Sequence, residues 1–177
     1  ESGCKLGEFG EMVPADGLKL QAANQHREDI DRITPLKFKA ALAPHRAARL
    51  EDRQLSVNQL LNACSRDNCN STLIVEGAGG FFSPIADDGL NADLATLLQL
   101  PTVIVINDKI GAVNQALLTV QAIENSGLAI AAIILNQVEK KTTLNMNNLE
   151  DLQSRCRHPV FCCDNQKALP LIFKTLY

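Results

Sequence analysis

Three stretches of this chain place polar or charged groups directly after an apolar run, and each suits a different piece of chemistry. The run Ser71–Val75 (STLIV) is followed by Glu76-Gly77-Ala78-Gly79-Gly80. A carboxylate at a strand end suits a hydrated Mg²⁺ ion, and the glycines leave backbone N–H groups bare for phosphate oxygens. The run Pro101–Ile106 (PTVIVI) leads into Asn107-Asp108-Lys109-Ile110-Gly111-Ala112-Val113-Asn114, a loop that opens into a helix. The first N–H groups of a helix make a ready anion site. The run Leu128–Leu135 (LAIAAIIL) ends in Asn136-Gln137, two amides able to read a base edge by paired donor and acceptor. Taken singly, each feature is ordinary: a glycine-rich turn, a capping asparagine, or an acid such as Asp16 near a helix start. Metal, anion and amide groups at three successive strand ends point to a nucleotide enzyme.

Such groups are useful only if the chain places them together. In open α/β sheets ligands bind beyond the carboxyl ends of the strands. The three runs, with a weaker fourth at Pro159–Cys163, are continuously apolar rather than alternating, as in a parallel sheet covered on both faces. Helix-length segments separate them. Asn91–Leu98 is short, and Ala112–Asn125 carries Val113, Leu117, Val120 and Ile123 at helical spacing before Gly127. Thr142–Arg155 and Gln166–Leu176 read as two more helices. Upstream, Pro14–Asn24 reads as a helix, and Ser56–Ser65 as another with Ser56 as N-cap. Ile30–Pro44 reads as loop with one short strand, and His45 as a helix-entry residue. The expected architecture is α/β, a parallel sheet flanked by helices in a single domain over residues 1–177.

Composition narrows the partners. Of 177 residues, 46% are apolar and 21% charged, which suits a folded domain. Trp is absent and aromatics make up 4%, so the core must be aliphatic. Lys and Arg number 17 against 20 Asp and Glu, a net charge of −3 with no basic block, so no nucleic-acid partner is expected. The longest apolar run, Leu128–Leu135, is far shorter than the roughly 20 residues that span a bilayer. With no signal-peptide pattern at Glu1, a cytoplasmic location is expected. The cysteines (Cys4, Cys64, Cys69, Cys156, Cys162, Cys163) show no C-x-x-C spacing and read as thiols of a reducing compartment.

Val75-Glu76-Gly77-Ala78-Gly79-Gly80, the upstream Pro44-His45-Arg46-Ala47-Ala48, Ile110-Gly111-Ala112-Val113-Asn114 and Leu135-Asn136 stand in the order found in dethiobiotin synthetases. Glu1-Ser2-Gly3-Cys4 and Pro14-Ala15-Asp16 match that family too. From Glu1 to about Val138 the sequence resembles the family closely; from Thr142 onward the likeness is a generic strand and helix. The resemblance implies a P-loop NTPase-like fold and a homodimeric cyclo-ligase of biotin biosynthesis. In that family 7,8-diaminopelargonate takes up CO₂ as a carbamate, ATP phosphorylates the carbamate, and the second amine closes the ring with loss of phosphate. By matching positions, Asp16 and Glu76 would be ligands of Mg²⁺ and ATP. Glu76, Gly77, Ala78 and Gly79 would line the phosphates, and Asn136 with Gln137 would face adenine. Ser2 would touch the diamine. Ile110, Gly111, Ala112, Val113 and Asn114 would bind the substrate carboxylate of the neighbouring subunit.

The sequence departs from the family pattern at its start. It contains no Gly-Lys-Ser or Gly-Lys-Thr, so the family's phosphate loop has no counterpart here. The family's catalytic lysines would fall before Glu1, so no catalytic residue is assigned within the chain. It reads as the C-terminal part of such a domain, without the first βαβ unit. The alternatives are a non-catalytic paralogue lacking the phosphate loop, and a ligase of the cobyrinic or cobyric acid synthase type. Ala43 stands where the family often has Ser, and Gln137 where Asp is more usual. Cys162-Cys163-Asp164-Asn165 replaces a Gly-x-Ile-Pro run, so no adenine contact is assigned there.

Overall fold

The computed structural model describes residues 1–65, 72–77, 79–137 and 145–163. The chain divides into two compact units, Glu1–Leu98 and Gln99–Tyr177.

The first unit is built from short elements. A two-stranded antiparallel hairpin pairs β1 (Lys5–Leu6) with β2 (Met12–Val13). Before it, residues 1–4 run beside 38–40. Ser2 bridges Phe38 in parallel, the Phe38 N–H donates to the Glu1 carbonyl at 2.9 Å, and the Cys4 N–H donates to the Phe38 carbonyl at 2.9 Å. Four helices follow: α1 (Ala15–Ala23), α2 (Ile30–Ile33), α3 (Pro44–Arg49) and α4 (Val57–Cys64). The unit closes with α5 (Asn91–Leu98).

Local signals explain these boundaries. Pro44 occupies the first turn of α3, where its missing N–H and fixed φ are no handicap. Asp29 caps α2 by accepting from the Asp31 N–H. Ser56 and Gln59 form a reciprocal capping box at the start of α4. The core gathers Phe38, Ala47, Ala48, Leu55, Val57, Ile85, Ala86 and Leu94, and the Arg53 guanidinium lies 4.7 Å from the Phe38 ring centroid. As the composition demands, the packing is chiefly aliphatic, with Phe38 the one aromatic in this cluster.

Two readings of this unit change. The stretch Ile30–Pro44 contains the helix α2, not only loop, because Asp29 supplies a cap that a four-residue helix needs. The run Ser71–Val75 is not seen as a strand. Its described residues 72–75 have no place in a sheet, and Ile74 is 74% exposed. A parallel strand holds its conformation through hydrogen bonds to neighbours, and apolar sequence alone does not provide them.

The second unit is a three-stranded parallel sheet in the order β3 (Thr102–Asn107), β4 (Ile130–Asn136), β5 (Val160–Cys163). Helix α6 (Ala112–Asn125) connects β3 to β4, and α7 (Asn148–Gln153) precedes β5. Residues 132–135 of the central strand are all buried, so a continuous apolar run is what the position requires. Ala112, Ala116, Val120 and Ile123 form the buried face of α6. That stripe lies one residue from the expected Val113–Leu117 line at the first two turns, where alanines allow close approach. The helix ends in a Schellman pattern, with Gly127 N–H donating to the Glu124 carbonyl and Leu128 N–H to the Ile123 carbonyl. The expected helix over Thr142–Arg155 is seen as Asn148–Gln153, and that over Gln166–Leu176 lies outside the described residues.

Replacing the capping hydroxyl tests the local logic of the first unit. Ser56→Ala should lower stability by about 1 kcal/mol in chemical denaturation. An unshifted midpoint would mean that α4 is held by its packing alone.

Candidate functional site

The candidate groups fall in both units, and each unit assembles its own share. In the first, the glycine turn after residue 75 is held open by a side chain that sequence reading passed over. Asn91, the buried first residue of α5, donates through Nδ2 to the Gly80 carbonyl at 2.8 Å and to the Ser83 carbonyl at 3.4 Å. Its own N–H donates to the Ser83 carbonyl at 3.0 Å, and the Ser83 N–H donates to the Gly80 carbonyl at 3.0 Å. One amide thereby fixes the turn from behind, while Glu76, Gly77, Gly79 and Gly80 remain exposed to solvent. Gly79 sits at φ +85°, where a Cβ would also come within 3.0 Å of the Ser83 Oγ. Only glycine fits that position without strain. Ala78 lies outside the described residues.

The N-terminus of α1 is occupied from within. The Glu1 carboxylate accepts from the Asp16 N–H at 3.0 Å and the Gly17 N–H at 2.8 Å, so an acid fifteen residues away caps the helix. Asp16 itself points to solvent and pairs with Lys19 at 2.8 Å. The contact raises the Lys19 pKa through the side-chain hydrogen bond to Asp16. An exposed pair of this kind is weak and leaves the carboxylate available. Ser2 is half-buried beside Phe38.

Two adjacent carboxylates in the first unit were not legible beforehand. Asp87 accepts from the Leu55 N–H at 2.9 Å and from Arg49 Nε at 2.6 Å, and Asp88 accepts from the Val57 N–H at 2.8 Å. The backbone bond from Leu55 holds the Asp87 carboxyl below its ordinary value of 3.8; desolvation opposes this, while Arg49 and His45 reinforce it. His45 is the second residue of α3, as its position after Pro44 suggested.

In the second unit the strand ends are level. Asn107 stands opposite Asn136, and Asn136 opposite Cys163. The ladder continues one residue further: Asp108 N–H donates to the Asn136 carbonyl and Gln137 N–H to the Cys163 carbonyl, each at 2.9 Å. The two sequence-predicted groups of this unit, Asn136-Gln137 and the 107–114 loop, are therefore neighbours along one edge. Asn136 and Gln137 are half-buried, and Ile110 is 76% exposed at the tip of the loop. Gly111 is the N-cap of α6 at φ +89° and offers no side-chain cap, so no side chain of the cap covers the opening of the 14-residue helix. That conformation strains any residue with a Cβ. Among the described residues no group of three or more His, Cys, Asp or Glu gathers as a metal cluster.

The sequence is similar to those of known proteins. A family model described as "AAA domain" matches residues 13–167. A protein of Ruthia magnifica subsp. Calyptogena magnifica named ATP-dependent dethiobiotin synthetase BioD is 38% identical over 139 residues, covering 78% of this chain and 63% of that protein. A protein of the same name from Vesicomyosocius okutanii subsp. Calyptogena okutanii is 41% identical over 138 residues, covering 78% of this chain and 62% of its own length. Another of that name, from Rhodopirellula baltica, is 32% identical over 183 residues, covering 97% of this chain and 72% of that protein. The chain thus spans a little under two thirds of the length of the first two relatives.

The Asp87 carboxyl gives a pH test. Because its folded pKa is lowered, the unfolded chain binds the proton more readily, and the stabilising contribution is complete above the ordinary value of 3.8. It is lost as the pH falls through the lower folded value. Asp87→Asn should therefore show a shallower loss of stability below pH 3.8 than the parent in acid titrations of the unfolding midpoint. Parallel slopes would mean that Asp87 is no better stabilised folded than unfolded.

Proposed function

Since the chain belongs to the dethiobiotin synthetase family, we propose that this protein closes the ureido ring of dethiobiotin from 7,8-diaminopelargonate, CO₂ and ATP. The observation that carries the reading is the stretch from Glu76 to Gly80: an exposed carboxylate at Glu76, exposed glycines at 77, 79 and 80, and a buried amide that holds the Gly80 carbonyl. Phosphoryl transfer asks for this kind of positioning and charge neutralisation more than for reactive side chains.

In the proposed sequence one amine of the diamine adds to CO₂ and loses a proton, giving a carbamate. A carbamate oxygen then displaces ADP from the γ-phosphorus. The second amine attacks the carbamate carbon, phosphate departs, a proton is released, and the ring closes.

Asp16 and Glu76 are the residues that would hold Mg²⁺. Both are exposed carboxylates, and a hydrated Mg²⁺ takes one or two such ligands with water and phosphate oxygens, so the donor set fits. When bound, the ion would neutralise the phosphate charge. Gly77 and Gly79 would offer backbone N–H groups to the phosphates, and Ala78 is assigned with them from its matching position in the sequence. Asn136 and Gln137 present amides to the base, and Ser2 a hydroxyl to the diamine. Ile110, Gly111, Ala112, Val113 and Asn114 receive the substrate carboxylate at the opening of α6, from the neighbouring subunit of a homodimer. Among the described residues no helix is long and apolar enough to cross a membrane, which accords with the cytoplasmic setting proposed here.

The test is dethiobiotin formation by the full-length protein from 7,8-diaminopelargonate, bicarbonate, ATP and Mg²⁺. Turnover should appear, and Glu76→Gln should lower kcat by about 100-fold with an unchanged circular dichroism spectrum. A protein that binds Mg²⁺–ATP yet makes no dethiobiotin would overturn the reading. Unchanged turnover in Glu76→Gln would remove Glu76 from the site.

A further inference from the structure

We propose that Asn148 is a positioning residue for the turn that opens α6, acting through a buried bond to Asp108. The two residues are each 6% exposed and stand 40 positions apart in sequence, Asp108 just after β3 and Asn148 at the first position of α7. Asn148 Nδ2 donates to Asp108 Oδ1 at 2.7 Å and to the Lys109 carbonyl at 3.1 Å. The same Lys109 carbonyl accepts from the Ala112 N–H at 3.0 Å, and the Asp108 N–H is tied to the Asn136 carbonyl at 2.9 Å. The base of the turn is therefore held by β4, by α6 and by α7 together.

A buried carboxylate and amide are an unfavourable way to fill space, and apolar groups of similar volume would pack the same gap. What a polar pair adds is a fixed direction. Directional bonds at 108 and 109 set the path of the chain into Gly111, and so the aim of the first N–H groups of α6. The tip beyond them carries Ile110 exposed and Gly111 in the left-handed region. A rigid base under an exposed tip is the arrangement that holds binding groups in place. This inference rests on the proposed reading that residues 110–114 receive the substrate carboxylate.

The experiment uses the full-length protein and two readouts. In Asn148→Ala the KM for 7,8-diaminopelargonate should rise about ten- to a hundredfold while the KM for ATP is unchanged. Amide hydrogen exchange should quicken at residues 109–114 and stay as in the parent along β4. Asn148→Ser, too short to reach both acceptors, provides the same measurements if the alanine variant does not fold. Unchanged exchange at 109–114 would show that Asn148 does not hold the turn. Faster exchange with an unchanged diamine KM, or equal rises in both KM values, would show that it does not serve diamine binding. Asn114→Ala separates the two levels. An unchanged diamine KM there overturns the reading of the turn itself, whereas a raised KM there beside an unaffected Asn148→Ala overturns the positioning role alone.

Discussion

Parallel strands in register bring their ends to one level, and the second unit depends on that constraint. Asn107, Asn136 and Cys163 stand side by side because, from Val103 onward, β3, β4 and β5 pair residue for residue up to their last positions. Each strand then releases its chain at the same edge. Groups that follow different strands, Asp108-Lys109 and Gln137, become neighbours although 27 residues of chain lie between Lys109 and Gln137. A shift of one residue along β4 would turn its buried side chains to the other face and move Asn136 out of line.

The first unit solves a different problem. With a hairpin of two-residue strands and helices of four to nine residues, it exposes many backbone ends for its size. The N–H groups at helix starts and in turns take partners there. Carboxylates supply them: Glu1 at Asp16 and Gly17, Asp29 at Asp31, Glu51 at Lys39, Asp87 at Leu55, Asp88 at Val57 and Asp93 at Leu90. The small excess of acids over bases in the composition is thus partly structural. These bonds stitch loops to helix starts.

The two glycine-bearing turns share one design despite lying in different units. Each is held from behind by a buried asparagine, Asn91 under Gly80 and Ser83, Asn148 under Lys109. A side-chain amide can donate to two carbonyls at once, which fits it to fix a turn that has no ladder of its own. The exposed backbone in front of each amide is then free to meet a ligand without first paying to become ordered.

Much of this was legible in the sequence. The N-cap at Ser56, the extent of α6, the positions of β3, β4 and β5, and the glycine turn after Glu76 follow from local signals: periodicity, caps, β-branched runs and the backbone freedom of glycine. Those signals act between residues a few positions apart, so a sequence carries them whole. The bracing roles of Asn91 and Asn148, the cap that Glu1 gives α1, and the Asp87 contacts with Arg49 and Leu55 were not legible. Each joins segments whose meeting is decided by packing, and an asparagine reads alike whether it caps a helix or braces a turn. The same reason accounts for residues 72–75. Their composition favours a strand, but a strand exists only where a neighbour satisfies its N–H and C=O groups, and that is settled by the tertiary structure.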